Sequence, residues 1–293
     1  MKVYKEKTFA EIYKNVLSDV LFNPEYESKP RDKKIKEITN VSFVIENPYY
    51  CLYSNKRRSS QLKYIAAELV WYFTGRNDTD FISKFAKFWQ YIDNGDGTVN
   101  SAYGNLIFNE KNEYHITQYE WAINSLKKDK DSRQAILHFN KPKHQWSDNK
   151  DFVCTLNSIF QIRNNRLNFT VNMRSNDLIL GTPTDIAFFS LLQQQALKHL
   201  QLYYPDLKMG TYTHNVNSLH IYEKHFGLVN EMLGKSFIAK KYPEISNNII
   251  DERGKPLPLF KKIESGVINN KTITNLKDPL YNWIIKNIFE HEN

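Results

Sequence analysis

Residues 154–187 read CTLNSIFQIRNNRLNFTVNMRSNDLILGTPTDIA, and local signals inside them decide what this chain can be. Stretches 158–162 and 167–173 alternate apolar and polar side chains on either side of Asn164 and Asn165, a pair suited to a tight hairpin turn. A two-residue turn there pairs Arg163 with Arg166. Carried back along a regular ladder, it pairs Thr155 with Arg174 and Cys154 with Ser175. One face then holds Leu156, Phe160, Ile162, Leu167, Phe169, Val171 and Met173, and the other holds Asn157, Gln161, Asn168, Thr170, Asn172 and Arg174. The hairpin thus carries a cysteine to the side of an Arg-Ser pair. In an ideal ladder Cys154 and Arg174 point to opposite faces, so both enter one pocket only if a β-bulge interrupts the strand end.

After the hairpin, Thr184 reads as the N-cap of a helix with Asp185 in its first turn, where the helix dipole favours an ionised carboxylate. A thiol is a nucleophile as thiolate, and a neighbouring arginine lowers its pKa. Taken singly, each residue has a second reading. Cys154 serves as a small buried hydrophobe, Arg174 as a surface ion-pair partner, and Asp185 as a charge matched to the dipole. Together they offer a nucleophile, a cation for phosphate and a carboxylate that can read a base.

A second constellation lies in GTYTHNVNSLHIYEKHF, residues 210–226. A strand over 218–222 puts Ser218, His220 and Tyr222 on one face, three neutral polar tips suited to a sugar or phosphate. His214, His220 and His225 lack metal-site spacing with any carboxylate or thiol, so no metal is expected.

The rest of the chain supplies the scaffold. Apolar periodicity predicts helices over 9–21, 61–74 and 119–126, with Gly75 ending the second and Glu68 its single acid. Strands are expected over 38–45 and 135–139, a polar loop over 23–36, a looser region after Tyr242 broken by Pro256 and Pro258, and an amphipathic helix over 278–292. No βαβ rhythm runs through these elements, so an α+β domain with a mostly antiparallel or mixed sheet is expected.

Composition narrows the class. The 41% hydrophobic residues of this 293-residue chain suffice for a full core, and no apolar run reaches the ~18 to 20 residues of a membrane span. MKVYKEKTFAEIYKNVL lacks the apolar segment of a secretory signal, and two cysteines make no disulfide framework, so a reducing cytoplasm is the expected compartment. The net charge of +8 favours anionic partners. Its lysines are scattered rather than blocked, which points to phosphorylated small molecules before nucleic acid.

These residues resemble the thymidylate synthase superfamily, most closely its phage deoxycytidylate hydroxymethylase branch. The resemblance rests on AELVWYFTG around Glu68, DSR at 131–133, DFVCT around Cys154, VNMRSND at 171–177, the turn at 181–187, and NSLHIYEKHF at 217–226. It covers roughly the first 230 residues in consistent order; from about residue 230 onward nothing matches by motif. It implies a single domain over 1–293, with a large mixed sheet covered by helices on one face and packed against a second subunit on the other. The implied homodimer completes each site with arginine from the partner. The implied chemistry is addition of Cys154 to C6 of a pyrimidine nucleoside monophosphate, with 5,10-methylenetetrahydrofolate as one-carbon donor. Glu68 would organise water and proton transfers. Arg174 and, from the partner, Arg133 would bind phosphate, with Arg31 as the match to an N-terminal phosphate arginine. Ser175, His220 and Tyr222 would hold phosphate or sugar, while Asp177 and Trp89 would approach the folate.

Departures from the synthase pattern carry the substrate expectation. Synthases place Asn where this chain has Asp185. An amide donates to O4 and accepts from N3–H of uracil; a carboxylate only accepts, which suits the N4 amino group of cytosine and the N3–H that forms as C6 is attacked. The expectation is therefore dCMP hydroxymethylation, with water supplying the oxygen. The alternatives are a thymidylate synthase, a dUMP or CMP hydroxymethylase, and, in a different class, a nucleic-acid-binding protein without catalysis. Gln134 stands in place of a second arginine, and Thr155 where many synthases have His.

Overall fold

The 154–177 hairpin lies inside a seven-stranded sheet, between the strands that flank it on either side. The computed structural model describes residues 1–269, 271–272 and 278–289. Its strands are β1 (Lys2–Glu6), β2 (Tyr26–Ser28), β3 (Ile35–Ile45), β4 (Leu52–Ser54), β5 (Ile136–His138), β6 (Thr155–Arg163), β7 (Arg166–Asp177), β8 (Lys208–Tyr222) and β9 (Ile238–Lys240). Helices α1 (Phe9–Phe22), α2 (Leu62–Phe73), α3 (Thr79–Ile82), α4 (Phe88–Tyr91) and α5 (Gln118–Lys128) are followed by α6 (Thr182–Gln201), α7 (Phe226–Leu233), α8 (Pro258–Glu264) and α9 (Pro279–Phe289). The sheet order is β1-β3-β8-β7-β6-β5, with β2 also on β3. β1–β3 and β7–β8 run parallel and the other pairs antiparallel. This is the expected mixed α+β sheet.

One face of that sheet is the core. Phe160, Ile162, Leu167, Phe169, Val171, Met173, Tyr212 and Phe43 are buried beneath α1, α2, α5 and α6. Helix α6 is buried along nearly its whole length, so its polar residues must find partners inside. Gln193 does so by donating to the carbonyls of Leu167 and Thr211 at 2.9 and 3.1 Å, beside a register shift between β7 and β8. The opposite face is polar and half-exposed. A row of side-chain bonds crosses it: Asn172 to Asn157, Asn215 to Asn172, and Ser42 to Asn215, at 2.6–2.9 Å.

Two local features differ from the sequence reading. Helix α6 begins at Thr182 with Gly181 as its cap, not at Thr184. Pro183 brings its fixed φ to the first turn and starts the helix early; the Thr184 hydroxyl donates back to the Gly181 carbonyl at 2.8 Å. The strand expected over 218–222 is the end of a longer β8. Gly75 does end α2, with φ of 71°.

The chain after residue 230 packs on the same body. Strand β9 pairs antiparallel with β4. The Asp278 carboxylate accepts the N–H groups of Leu280 and Tyr281 and starts α9, while its other oxygen holds Asn247. Helix α9 buries Leu280, Tyr281, Ile284, Ile285 and Ile288, and packs on α2, the helix of Glu68. The expected helix over 278–292 is described as far as Phe289, and its last positions lie outside the described residues.

Candidate active site

The bulge that the sequence demands is present. Asn157 pairs with Asn172 but Thr155 pairs with Met173, so Leu156 is the extra residue. The shift replaces the regular partners: the Cys154 carbonyl accepts the N–H of Arg174 at 2.9 Å, and Arg174 Nη2 lies 3.4 Å from Cys154 Sγ. Thr155 takes the inward place and is fully buried, while Leu156 is only half-buried and leaves the apolar face assigned to it.

Arg174 is fixed before any ligand arrives. Nε donates to the Val153 carbonyl at 3.1 Å, Nη2 donates to the Phe152 carbonyl, and the guanidinium sits 4.8 Å from the centre of the Phe152 ring. A rigid fork loses little freedom when it binds an anion. Its charge lowers the Cys154 pKa, as expected, but burial outweighs it and the thiol is pushed up overall. Asp185 and Asp151 push in the same direction. Burial thus favours the protonated thiol over the thiolate in this setting.

Glu68 is buried in α2 and takes a 2.6 Å hydrogen bond from the Tyr64 hydroxyl, which accepts from the Trp89 indole N–H at 3.0 Å. Burial pushes the Glu68 carboxyl up to about 8; the Tyr64 bond opposes this and Asp185 adds to it. Asp185 is pushed up to about 7 by burial, opposed by a 2.7 Å bond from Asn176 Nδ2. Gly181 makes room for that bond, since a Cβ there would lie 2.9 Å from Asn176 Nδ2. Asp185 acts electrostatically on both Cys154 and Glu68, so the thiol and the two carboxyls lie within reach of one another's charge.

The phosphate and sugar candidates surround this cleft unequally. β7 and β8 pair Ser175 with Ser218 and Asp177 with His220. His220 stands edge-on to Tyr222 with ring centres 5.0 Å apart, and burial lowers its pKa, keeping it neutral. Ser218, His220 and Tyr222 alternate along β8 as expected, and the Ser218 hydroxyl already donates to Glu37. Arg31 is exposed at φ of 51°, followed by Asp32 at 59°, and its charge reaches both Tyr222 and Cys154. Asp177 has one carboxylate oxygen committed to the N–H groups of Ile179 and Leu180. Trp89 is buried against Trp71, with its N–H given to Tyr64. Arg133 is exposed on the loop before β5 and makes no hydrogen bond or ion pair with this cluster among the described residues.

Comparison with known proteins places the chain in a family. The sequence matches the family described as Thymidylate synthase over residues 11–264. The chain belongs to the thymidylate synthase family. It is similar to the deoxycytidylate 5-hydroxymethyltransferase of Enterobacteria phage T6, 33% identical over 220 residues, covering 71% of this chain and 85% of that protein. It is also similar to the deoxyuridylate hydroxymethyltransferase of Bacillus phage SP01, 29% identical over 233 residues, covering 74% of this chain and 58% of that one. In fold it resembles thermostable thymidylate synthase A from Bacillus subtilis, with a TM-score of 0.63 at 19% identity, covering 81% and 87% of the two chains.

The thymidylate synthase match runs past residue 230, where the motif resemblance stops, and ends before α9. Several site residues escaped the sequence reading. Tyr64 lies one helical turn before Glu68, an i, i+4 spacing that could have named it. Asn176 sits unremarked inside RSND, and Asp151 figures only as the first letter of DFVCT; its carboxylate holds Ser101 through both N–H and hydroxyl. A cleft of ≈ 540 Å³ shares Tyr64 with the site and is lined also by Lys63, Lys84, Phe85 and Asn287.

Proposed function

We propose that this chain is a dCMP hydroxymethylase: it converts dCMP, methylenetetrahydrofolate and water into 5-hydroxymethyl-dCMP and tetrahydrofolate. The coarser statement, a one-carbon transferase acting on a pyrimidine nucleotide, follows from membership of the family. The finer one is carried by a single observation. The group beside the nucleophile and Glu68 is a carboxyl, Asp185, where a uracil-reading site calls for an amide.

In this reading the substrate phosphate binds Arg174, with Arg31 closing from the exposed loop and Arg133 reaching in from a second copy of the chain. Ser175, His220 and Tyr222 hold sugar and phosphate oxygens. Cys154 loses its proton as the pyrimidine enters and its sulfur bonds to C6. Electron density moves toward C5, and N3 gains a proton. Asp185, with its pKa near 7, is matched to give that proton or share it. The folate would supply the one-carbon unit at C5 and leave as tetrahydrofolate, the C5 proton would pass to solvent, and after water adds to the new carbon the Cys154–C6 bond would break to free the product. The cleft beside Tyr64 suits its flat ring and acidic tail, with Phe85 for the ring and Lys63 and Lys84 for the carboxylates. Glu68, near pKa 8 and tied to Tyr64, moves the protons of the attacking water. The product would feed synthesis of modified DNA.

A dUMP hydroxymethylase is the second reading, favoured by the same pKa. A neutral carboxyl is both donor and acceptor, as an amide is. Incubation with dCMP or dUMP and methylenetetrahydrofolate, with products identified by mass, tests both. Hydroxymethyl-dCMP is expected; dTMP with dihydrofolate, or turnover of dUMP alone, would overturn the proposal. Salt-dependent DNA binding without turnover would support the non-catalytic alternative.

A further inference from the structure

Behind Asp185 lies a chain of buried polar side chains that no step above uses. The Tyr212 hydroxyl is 2.9 Å from His214 Nδ1, His214 Nε2 is 3.1 Å from Asn176 Oδ1, and Asn176 Nδ2 is 2.7 Å from Asp185 Oδ2. Tyr212 and His214 are fully covered and Asn176 nearly so. The Thr182 hydroxyl also donates to Asn176 Oδ1, at 2.6 Å.

Hydrogen-bond polarity leaves this chain one assignment. A carboxylate oxygen needs a donor, so the Asn176 NH₂ faces Asp185 and its carbonyl faces Thr182 and His214. His214 must then carry its proton on Nε2. Burial keeps the imidazole neutral, pushed down to about 3, so Nδ1 is bare and accepts from Tyr212. The His214 N–H favours this orientation of the amide, and so does the Thr182 hydroxyl, which lies nearer to Asn176 Oδ1, at 2.6 Å, than to the Asp177 carbonyl, at 3.1 Å.

The consequence falls on Asp185. When neutral, a carboxyl carries its proton on one oxygen, and Oδ2 already receives an N–H. The proton therefore belongs on Oδ1, which accepts no hydrogen bond from the described residues. Oδ2 is an acceptor in both protonation states; Oδ1 is a donor when neutral and an acceptor when ionised. A cytosine edge whose amino group faces Oδ2 matches both states, through bare N3 in one and N3–H in the other. Uracil, with O4 facing Oδ2, matches neither.

We propose that Asn176, braced by Thr182, His214 and Tyr212, is a positioning residue that fixes the donor–acceptor order of Asp185 and so excludes uracil. This rests on the reading of Asp185 as the base-reading group. The test measures kcat/KM for dCMP and dUMP on the full chain between about pH 6 and pH 9, a span that brackets the Asp185 titration. Variants are Asn176→Ala, Tyr212→Phe and, as control, Asp185→Asn. Both substrates are assayed on one preparation, so their ratio does not depend on the fraction folded. Asn176→Ala is expected to lower the dCMP:dUMP ratio by roughly tenfold or more, the scale of one hydrogen bond to a charged group. The loss is largest at low pH, where Asp185 carries its proton, and its midpoint moves to higher pH because the bond that opposes protonation is gone. Tyr212→Phe, which removes one hydroxyl far from the base, moves the ratio in the same direction. If Asp185→Asn changes the ratio while both other variants keep it at every pH, the proposal falls and the base reading stands. An unchanged ratio in Asp185→Asn removes the base reading itself.

Discussion

The two ends of the β6–β7 hairpin obey different rules. At the turn, Asn164 and Asn165 adopt φ of 50° and 56°, Arg163 pairs with Arg166, and the ladder runs regularly to Asn157 and Asn172. Local backbone preference decides that end. At the other end an extra residue breaks the ladder, a thiol is placed against a guanidinium, and two carboxyls with raised pKa are held nearby. No local preference produces that arrangement. It costs stability and persists because the helices around it overdetermine it. The turn end should therefore answer to stability measurements and the bulged end to kinetics.

The sharpest way to break this contrast is Cys154→Ser. Product formation is expected to fall at least ~10³-fold, because the covalent step is lost, while the thermal midpoint barely moves. Full activity in the variant would exclude the covalent route. Asp185→Asn comes next: preference between dCMP and dUMP should swing by ~2 to 4 kcal/mol of relative kcat/KM toward dUMP. Equal preference before and after would leave the carboxyl without a role in base choice.

Glu68→Gln sharpens the same contrast through pH. The folded protein keeps the Glu68 proton up to about 8, whereas the unfolded chain releases it near 4.5. Stability from this group is complete below the lower value and is lost as pH rises through the upper one. The wild type should thus weaken across that window relative to Glu68→Gln, by on the order of 1–3 kcal/mol near pH 8.5 in urea unfolding. Parallel pH curves would contradict the buried carboxyl. The smallest effect is expected at the turn. Asn164→Ala should cost ~1 kcal/mol of stability, since alanine tolerates the left-handed backbone less well, and should leave kcat/KM unchanged.

The same division explains what the sequence disclosed. Helices α1, α2 and α5 were legible because apolar spacing reports a buried stripe directly, and the turn because its backbone demands particular residues. The bulge was legible as a requirement, from the parity of Cys154 and Arg174 on a strand. The parallel pairing of β7 with β8 left no local mark, since partners so far apart in sequence are chosen by the whole sheet. Asn176 was hidden for another reason. Within RSND it reads as one more polar letter, and only His214 and Thr182 closing on its carbonyl give it a direction. The arginine lowers the thiol pKa as its nearness implied, but the larger opposing push of burial is something spacing does not reveal.

Helix α9 covers α2 from the far end of the chain. On the ribosome, the helix bearing Glu68 emerges about 200 residues before its cover, a wait of roughly 10 to 40 seconds at ordinary elongation rates. During that interval its apolar side has no final partner, and the buried Glu68 carboxyl has no finished setting. A messenger cut short ahead of residue 279 would yield a protein with every proposed site residue and an unsealed α2, a natural target for chaperones and proteases.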